Sequence, residues 1–192
     1  YQFKTLIEST VPEVIWRSDR SNDNTQEKEN FPPSLYGRAR VNPSQNLVDA
    51  FPMNNGLSID DPNSGYDPKN PYAGRDPRLN LYVVVDGSAV GPNDAIISTG
   101  NKGNATEDGI DKTYQKSTRT GYYMRKLLRE AANVNPNSQN SPKHYTALIR
   151  WTELFLAYAE AANEAADPTT AVGGTSQTAK SVIKAIRERA GI

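Results

Sequence analysis

The spacing of apolar residues changes midway along the chain. Residues 1–121 hold 20 of the 26 glycines and prolines, and their apolar residues fall in short runs between turn residues. From residue 122 onward glycine and proline are scarce, and apolar side chains recur at steps of three and four. This pattern predicts a single region, 1–192, in which the segment 1–121 is loop-rich with short strands and the segment 122–192 is helical.

The end of the chain is predicted to form two helices. The first apolar stripe runs as far as Asp167-Pro168 and consists of Leu148, Trp151, Phe155, Tyr158, Ala162 and Ala165. The second stripe lies between Gly173-Gly174 and Gly191 and consists of Ala179, Val182, Ile183, Ile186 and Ala190. Because the linker is short, we expect an antiparallel helical hairpin of the tetratricopeptide type. One such hairpin cannot bury both of its faces by itself, so it requires a further surface to pack on.

The loop-rich segment is predicted to contain two short strands, at 11–16 and 80–85, because both runs are rich in β-branched and aromatic residues. A polar loop is expected over 17–30, and a polar, exposed loop over 86–111. Prolines exclude a long helix between Phe31 and Arg78, apart from one or two turns near 45–51.

Composition removes several classes of function. Lysine plus arginine and aspartate plus glutamate both number 22, and this zero net charge argues against a nucleic-acid or membrane-surface partner. The absence of cysteine excludes disulfides and zinc–thiolate sites. The single histidine, His144, excludes a multi-histidine metal site and is interpreted as an incidental loop residue. No apolar run approaches the ~20 residues that a membrane-spanning helix needs.

Several stretches, taken in order, resemble one known family, the SusD/RagB outer-membrane nutrient-binding lipoproteins of Bacteroidetes. The stretches are Glu-Val-Ile-Trp at 13–16, the runs at 42–53, 70–79 and 120–126, and the two helical segments at 149–161 and 185–192. The segment 149–161 is the most specific, because it resembles a family helix of the form I-R-x-x-E-x-x-L-x-Y-A-E-A. The match is to the C-terminal region of a family member.

The resemblance implies a mainly α fold of the α/α superhelix class, in which a tetratricopeptide-type hairpin carries long loops and a few short strands. We expect the chain to be a piece of a longer lipoprotein whose lipidated cysteine and other helix pairs lie upstream. The implied function is non-enzymatic, cofactor-free capture of an oligosaccharide or polysaccharide at the bacterial outer-membrane surface. The implied partner is a SusC-like TonB-dependent transporter. In the family the segment at 122–126 is extended, so we expect a strand there despite its helical propensity.

Sugar-binding sites combine an aromatic face for the C–H side of a pyranose with planar polar side chains for its hydroxyls. Arg20, Asn22, Tyr36 and Arg38 supply this mixture around Phe31-Pro32-Pro33, at a place where loops of the family often face the glycan. They are the predicted glycan-binding residues. The alternative is an ordinary solvated loop, and the insertion at 86–111 is a second candidate for facing the glycan or the transporter.

Two polar motifs of the loop-rich segment have structural interpretations that we prefer. Arg75-Asp76-Pro77-Arg78 could clamp an anion, but it is expected to hold its loop on the helical hairpin. The run 61–67 has the rhythm of a calcium loop, but Tyr72 stands where the bidentate glutamate belongs, and turn chemistry explains the same residues. No metal site is therefore predicted.

Neither the glutamates nor the tryptophans of the chain are predicted to form a catalytic or sugar site. Glu153 and Glu160 share a helix face, yet pairing of Glu153 with Arg150 is the preferred interpretation, so no catalytic residue is predicted. Trp16 and Trp151 are expected to lie in the core. Two rival functions stay open, a glycoside hydrolase with two carboxylates in one cleft and a helical-repeat module that binds protein without sugar.

Overall fold

The computed structural model describes residues 12–100 and 106–191. Only 27% of these residues are helical, so the prediction of a mainly α fold is wrong. The five helices accompany small antiparallel sheets and long irregular segments. The two long helices lie at the C-terminal end, whereas glycine, proline and Asx-type turns shape most of the preceding chain.

The helices of the described residues are short apart from the last two. They are α1 (Thr25–Asn30), α2 (Gln45–Asp49), α3 (Pro77–Tyr82), α4 (Trp151–Ala165) and α5 (Ala179–Ala190), with a 3-10 turn at Pro33–Leu35. The strands are β1 (Val14–Asn22), β2 (Val83–Val84), β3 (Ala89–Val90), β4 (Ala95–Ile96), β5 (Tyr123–Met124) and β6 (Lys143–Arg150). They form three antiparallel pairs, β1 with β6, β2 with β5 and β3 with β4. No described helix has both the length and the apolar character needed to cross a membrane.

The largest sheet corrects two sequence predictions. Strand β1 continues to Asn22, and α1 follows it, so the expected loop over 17–30 is wrong. Strand β6 was not predicted, and it contains Leu148, which the helical stripe had included. The helix instead begins at Trp151, directly after the strand ends. Leu148 fits the helical spacing by coincidence, because a single apolar residue before a helix is compatible with the period of a helix and with the period of a strand.

The middle of the chain corrects two further expectations. Residues 80–82, half of the strand expected at 80–85, belong to helix α3, and Val83–Val84 form the strand β2. The helix forms because Asp76 caps it, accepting a hydrogen bond from the Arg78 backbone N–H, and Pro77 occupies its first turn. The segment 86–111 contains the β3–β4 hairpin and the buried residues Val90 and Ile97, so it is not simply an exposed loop. The extended segment expected near 122–126 is confirmed by β5.

Three apolar clusters hold the described fold together. The first contains Phe31, Ala39, Val84, Val90, Ile97, Tyr123, Leu128, Ala132 and Val134. The second contains Val48, Leu79, Val83, Val85 and Tyr122. The third contains Ala159, Ala162, Ala179 and Val182 of the two long helices. Burial of such side chains is the main stabilising term of a fold of this size.

Helices α4 and α5 form the predicted antiparallel hairpin. The Lys180 backbone N–H donates to the Pro168 carbonyl at 2.9 Å, which joins the end of α4 to the start of α5. At the opposite end, Arg189 donates to the Thr152 hydroxyl at 2.7 Å. Gly191 ends α5 with a φ of 85°, the left-handed conformation that its position predicts.

The apolar stripe of α4 is less buried than the sequence predicts. The side chains of Trp151 and Phe155 are both 49% exposed, and only Thr152, Ala159 and Ala162 of this helix are buried. Trp16, on β1, is 61% exposed. The expectation that both tryptophans lie in the core is therefore wrong, because a two-stranded sheet and a single hairpin leave an apolar face uncovered.

His144 is a structural residue and not an incidental one. It lies in β6, is buried, and its Nε2 is 2.9 Å from Glu27 Oε1 on α1. The same carboxylate oxygen accepts the Arg129 backbone N–H at 2.7 Å. The pair therefore joins α1, β6 and the segment after β5.

Candidate functional site

The loop that carries two of the predicted sugar residues, 31–40, is held rigidly. Phe31 and Ala39 are buried in the first apolar cluster, and the Ala39 backbone N–H donates to the Phe31 carbonyl at 3.3 Å. A Cβ on Gly37 would lie 1.9 Å from the Phe31 carbonyl oxygen, so only glycine fits this close approach. The Ser34 N–H donates to Asp108 Oδ1 at 2.9 Å, which anchors the loop to a distant segment.

Tyr36 lies at the tip of this loop. It ends the 3-10 turn in the left-handed conformation, with a φ of 62°, and its N–H donates to the Pro33 carbonyl at 2.8 Å. Its side chain is 56% exposed. A rigid backbone therefore presents an aromatic ring to solvent, which is the geometry that stacking on a pyranose requires.

Arg38 lies two residues further on and forms an exposed ion-pair cluster. Its Nη1 lies 2.8 Å from Glu29 Oε1, and Arg40 Nε lies 3.1 Å from Glu29 Oε2. Both guanidinium groups are more than half exposed. Each arginine has five N–H donors, so the cluster orients both side chains while leaving donors for a ligand.

Asn22 and Arg20 lie on β1. Asn22 is exposed at the end of the strand, opposite Lys143 of β6. The backbone of Arg20 belongs to the same strand, and its side chain lies outside the described portion of the structure. The described contacts join Arg38 to Arg40 through Glu29, and none joins Asn22 to Tyr36 or Arg38.

The β1–β6 sheet carries aromatic residues that the sequence analysis did not assign to a site. Arg17 lies 4.5 Å and Lys143 5.3 Å from the centre of the Tyr145 ring. Both distances are short enough for cation–π attraction. Trp16 is exposed on the same sheet. Recognition of β6 in the sequence would have placed these aromatic residues on a two-stranded sheet.

Arg75 and Asp76 have structural roles. Arg75 is buried, and its Nη2 donates to the carbonyls of Val48 at 2.6 Å and Phe51 at 2.7 Å. Asp76 forms an ion pair with Arg78. The motif therefore fixes α2 and the loop before α3 to each other. Its Pro77 also lies beside the end of the helical hairpin, because a Cβ on Gly191 would lie 3.4 Å from the proline Cγ.

The run 61–67, which has the rhythm of a calcium loop, forms turns, in agreement with the preferred interpretation. Asp61 Oδ1 accepts the Asn63 N–H at 2.8 Å, and Asp67 Oδ1 accepts the Lys69 N–H at 2.9 Å. The hydrogen bonds from the Lys69 backbone and the Asn70 side chain lower the pKa of Asp67 below its ordinary value. Within the described ranges, no group of three or more histidine, aspartate or glutamate side chains is placed to hold a metal ion.

The ion pair at the base of the helical hairpin differs from the one predicted. Glu153 and Glu160 are exposed on α4, and the described ion pairs do not include Arg150 with Glu153. Instead, Glu13 Oε2 accepts from Arg189 at 3.0 Å, and its Oε1 accepts the Thr152 N–H at 3.1 Å. This partly buried network joins the residue before β1 to both long helices.

Comparisons with known proteins agree with this fold. A sequence model of the SusD family matches residues 12–192. The chain belongs to the SusD family. The crystal structure of a SusD-like carbohydrate binding protein from Bacteroides fragilis NCTC 9343 is 25% identical, with a TM-score of 0.67 over 94% of this chain and 34% of that protein. A second SusD-like protein of the same strain is 21% identical, with a TM-score of 0.72 over 98% and 38%.

This SusD-family chain therefore spans little more than a third of each of these two solved relatives. The family match confirms the resemblance stated from the sequence. A search of curated proteins finds no match.

Proposed function

We propose that this chain belongs to a glycan-binding protein that acts without covalent chemistry. The observation that carries the proposal is membership of the SusD family over residues 12–192, since a solved relative is described as carbohydrate binding. The ligand is an oligosaccharide or polysaccharide. Binding comes from ring stacking and hydrogen bonds to hydroxyl groups, which need no reacting residue.

The loop 31–40 supports this function by its geometry. Tyr36 offers a fixed, exposed ring, and Arg38 offers guanidinium donors held in place by Glu29. Because the loop is ordered before binding, little conformational entropy is lost on contact with a glycan. Asn22 and Arg20 on β1 complete the proposed set of contacts.

We further propose that the function is exercised at the bacterial outer-membrane surface, where the glycan passes to a SusC-like TonB-dependent transporter. Family membership supports this assignment. Attachment to the membrane would be through a lipid anchor on an upstream segment of a longer protein. Co-purification of the whole protein with its transporter tests this step, and failure of the two proteins to associate would contradict it.

The function itself is tested on a glycan array, followed by product analysis of every glycan that is retained. We expect retention of at least one neutral oligosaccharide or polysaccharide, recovered at its original length. Release of shorter products, lost on replacing a carboxylate, would favour the glycoside hydrolase alternative. Retention of a protein partner with no glycan bound at all would favour the interaction module.

A further inference from the structure

A polar groove lies beside the segment that precedes α3. Residues 68–73 form one wall and Asp86 forms the other, and the groove encloses about 450 Å³. This size falls in the range of ~300–1,000 Å³ that is typical of small-molecule sites. None of the predicted sugar residues lines the groove, so it is separate from the loop of Tyr36 and Arg38.

The aromatic wall of the groove is fixed in place. The rings of Tyr72 and Tyr122 pack edge to face, with centroids 6.3 Å apart. The Tyr72 hydroxyl lies 3.4 Å from that of Tyr122, which in turn donates to Gln45 Oε1 at 2.8 Å. Tyr122 belongs to the second apolar cluster. The ring of Tyr72 is therefore oriented before any ligand arrives, which reduces the entropic cost of binding.

Asp86 supplies an oriented acceptor. Its Oδ1 accepts the backbone N–H groups of Thr99 at 2.7 Å and Gly100 at 3.3 Å, and it lies 3.4 Å from the Thr99 hydroxyl. Among the residues that the structure describes, none donates to Oδ2. One oxygen of the carboxylate thus fixes its position, and the other retains its capacity to accept hydrogen bonds.

The opposite wall supplies a further acceptor and a donor. Asn70 Nδ2 donates to Asp67 Oδ2 at 2.7 Å, which orients the amide of Asn70. Its Oδ1 has no partner among the described residues, and the same holds for the ammonium group of Lys69. The groove therefore combines two acceptors, one cationic donor and an aromatic ring. The hydroxyl groups of a sugar can donate to such acceptors and accept from such a donor.

We infer that this groove is a second contact site for a neutral pyranose unit of the glycan. The inference rests on the proposed function, because it assigns a further site to the same class of ligand. Hydroxyl groups of the sugar donate to Asp86 Oδ2 and Asn70 Oδ1 and accept from Lys69, while the sugar ring lies along the groove wall that Tyr72 lines. One lysine and one aspartate cancel in charge, which favours a neutral sugar over an acidic one.

The test is a calorimetric titration of the 192-residue chain with the neutral oligosaccharide retained best on the array. Lys69→Ala removes the donor, and Asp86→Asn alters the acceptor while an amide oxygen can still accept from Thr99. We expect each variant to bind ~3–10-fold more weakly, which corresponds to the loss of one hydrogen bond. Lys112→Ala removes an exposed lysine that does not line the groove, and we expect a change of less than about twofold.

The outcomes separate the two proposals. Wild-type affinity in both Lys69→Ala and Asp86→Asn, together with weakened binding in Tyr36→Ala, overturns the assignment of the groove as a sugar site and leaves the proposed function unaffected. Absence of glycan binding by the parent chain overturns both the groove and the proposed function.

Affinity for the neutral ligand should change by less than about twofold between low and high salt, because no net charge is paired. A preference for an acidic oligosaccharide that salt abolishes would overturn the neutral assignment.

Discussion

The imidazole Nε2 of His144 lies 2.9 Å from the Glu27 carboxylate, although the two residues are 117 positions apart in the chain. Both side chains are almost completely shielded from solvent. The other ring nitrogen, Nδ1, lies 3.0 Å from the Pro142 carbonyl. The pair is the polar link between α1 and β6.

Removal of Glu27 should therefore destabilise the fold. We expect Glu27→Ala to lower the free energy of unfolding by ~3 kcal/mol, because His144 and the Arg129 N–H would lose their buried acceptor. Glu27→Gln keeps an acceptor oxygen and should cost only about 1 kcal/mol. Urea unfolding followed by circular dichroism measures both values. A Glu27→Ala midpoint equal to that of the parent would show that the pair is not structural.

The network around Glu13 predicts a dependence of stability on pH. Burial raises the pKa of Glu13, but the hydrogen bonds from Thr152 and the charge of Arg189 outweigh burial and lower the pKa below its ordinary value of 4.5. The ionised carboxylate therefore stabilises the folded state above pH 4.5, and this contribution is lost as the pH falls through the lowered pKa.

Comparison with Glu13→Gln isolates this effect from other carboxylates. We expect the parent to melt at a higher temperature than the variant at about pH 6 and the difference to shrink as the pH is lowered towards about 3. Thermal unfolding at a series of pH values measures the difference. A difference in melting temperature that stays constant or widens on acidification would contradict the stabilising role of the Glu13 carboxylate.

Exposure of the α4 stripe predicts a small cost for truncating Phe155. The ring is half exposed, so Phe155→Ala should lower the free energy of unfolding by about 1 kcal/mol. Leu79, which is fully buried in the second apolar cluster, is the matched comparison, and Leu79→Ala should cost ~2–5 kcal/mol. Chemical denaturation ranks the two variants. Equal losses of unfolding free energy in the two variants would mean that the Phe155 side chain is buried in solution.

Gly37 should tolerate no side chain. A Cβ there would collide with the Phe31 carbonyl, so Gly37→Ala should displace the loop of Tyr36 and lower the free energy of unfolding by more than ~2 kcal/mol. Gly65 is the control, because its φ is +75° but a Cβ would meet nothing within 4 Å. Gly65→Ala should cost only the left-handed backbone strain of ~1–2 kcal/mol. Similar melting temperatures for the parent and Gly37→Ala would disprove the close approach.

Features that depend on local chemistry could be predicted from the sequence. The glycine that ends α5, the stop at Asp167-Pro168 and the extended segment at β5 all follow from residues within a few positions of one another. Strand β6 was missed because its apolar residues merge with the helical stripe that follows. The helical content was overestimated because turn-rich segments that are fixed by hydrogen bonds carry no periodic signal.

Long-range relationships could not be predicted. Glu27 meets His144, and Glu13 meets Arg189, only because the chain brings distant segments together. The exposure of Trp16 was equally hidden, since burial depends on whether another element covers its face of the sheet. The same limit applies to the groove at Asp86, whose two walls come from separate turns.

Loss of glycan affinity on replacing Tyr36 is the most direct test of the proposed binding surface. Calorimetric titration with the retained glycan should show at least ~10-fold weaker binding for Tyr36→Ala, with a melting temperature within about 2 °C of the parent, because the ring is exposed. Tyr114, which is 85% exposed, is the matched control, and Tyr114→Ala should bind as the parent does. Equal affinity of the two variants and the parent would contradict the account.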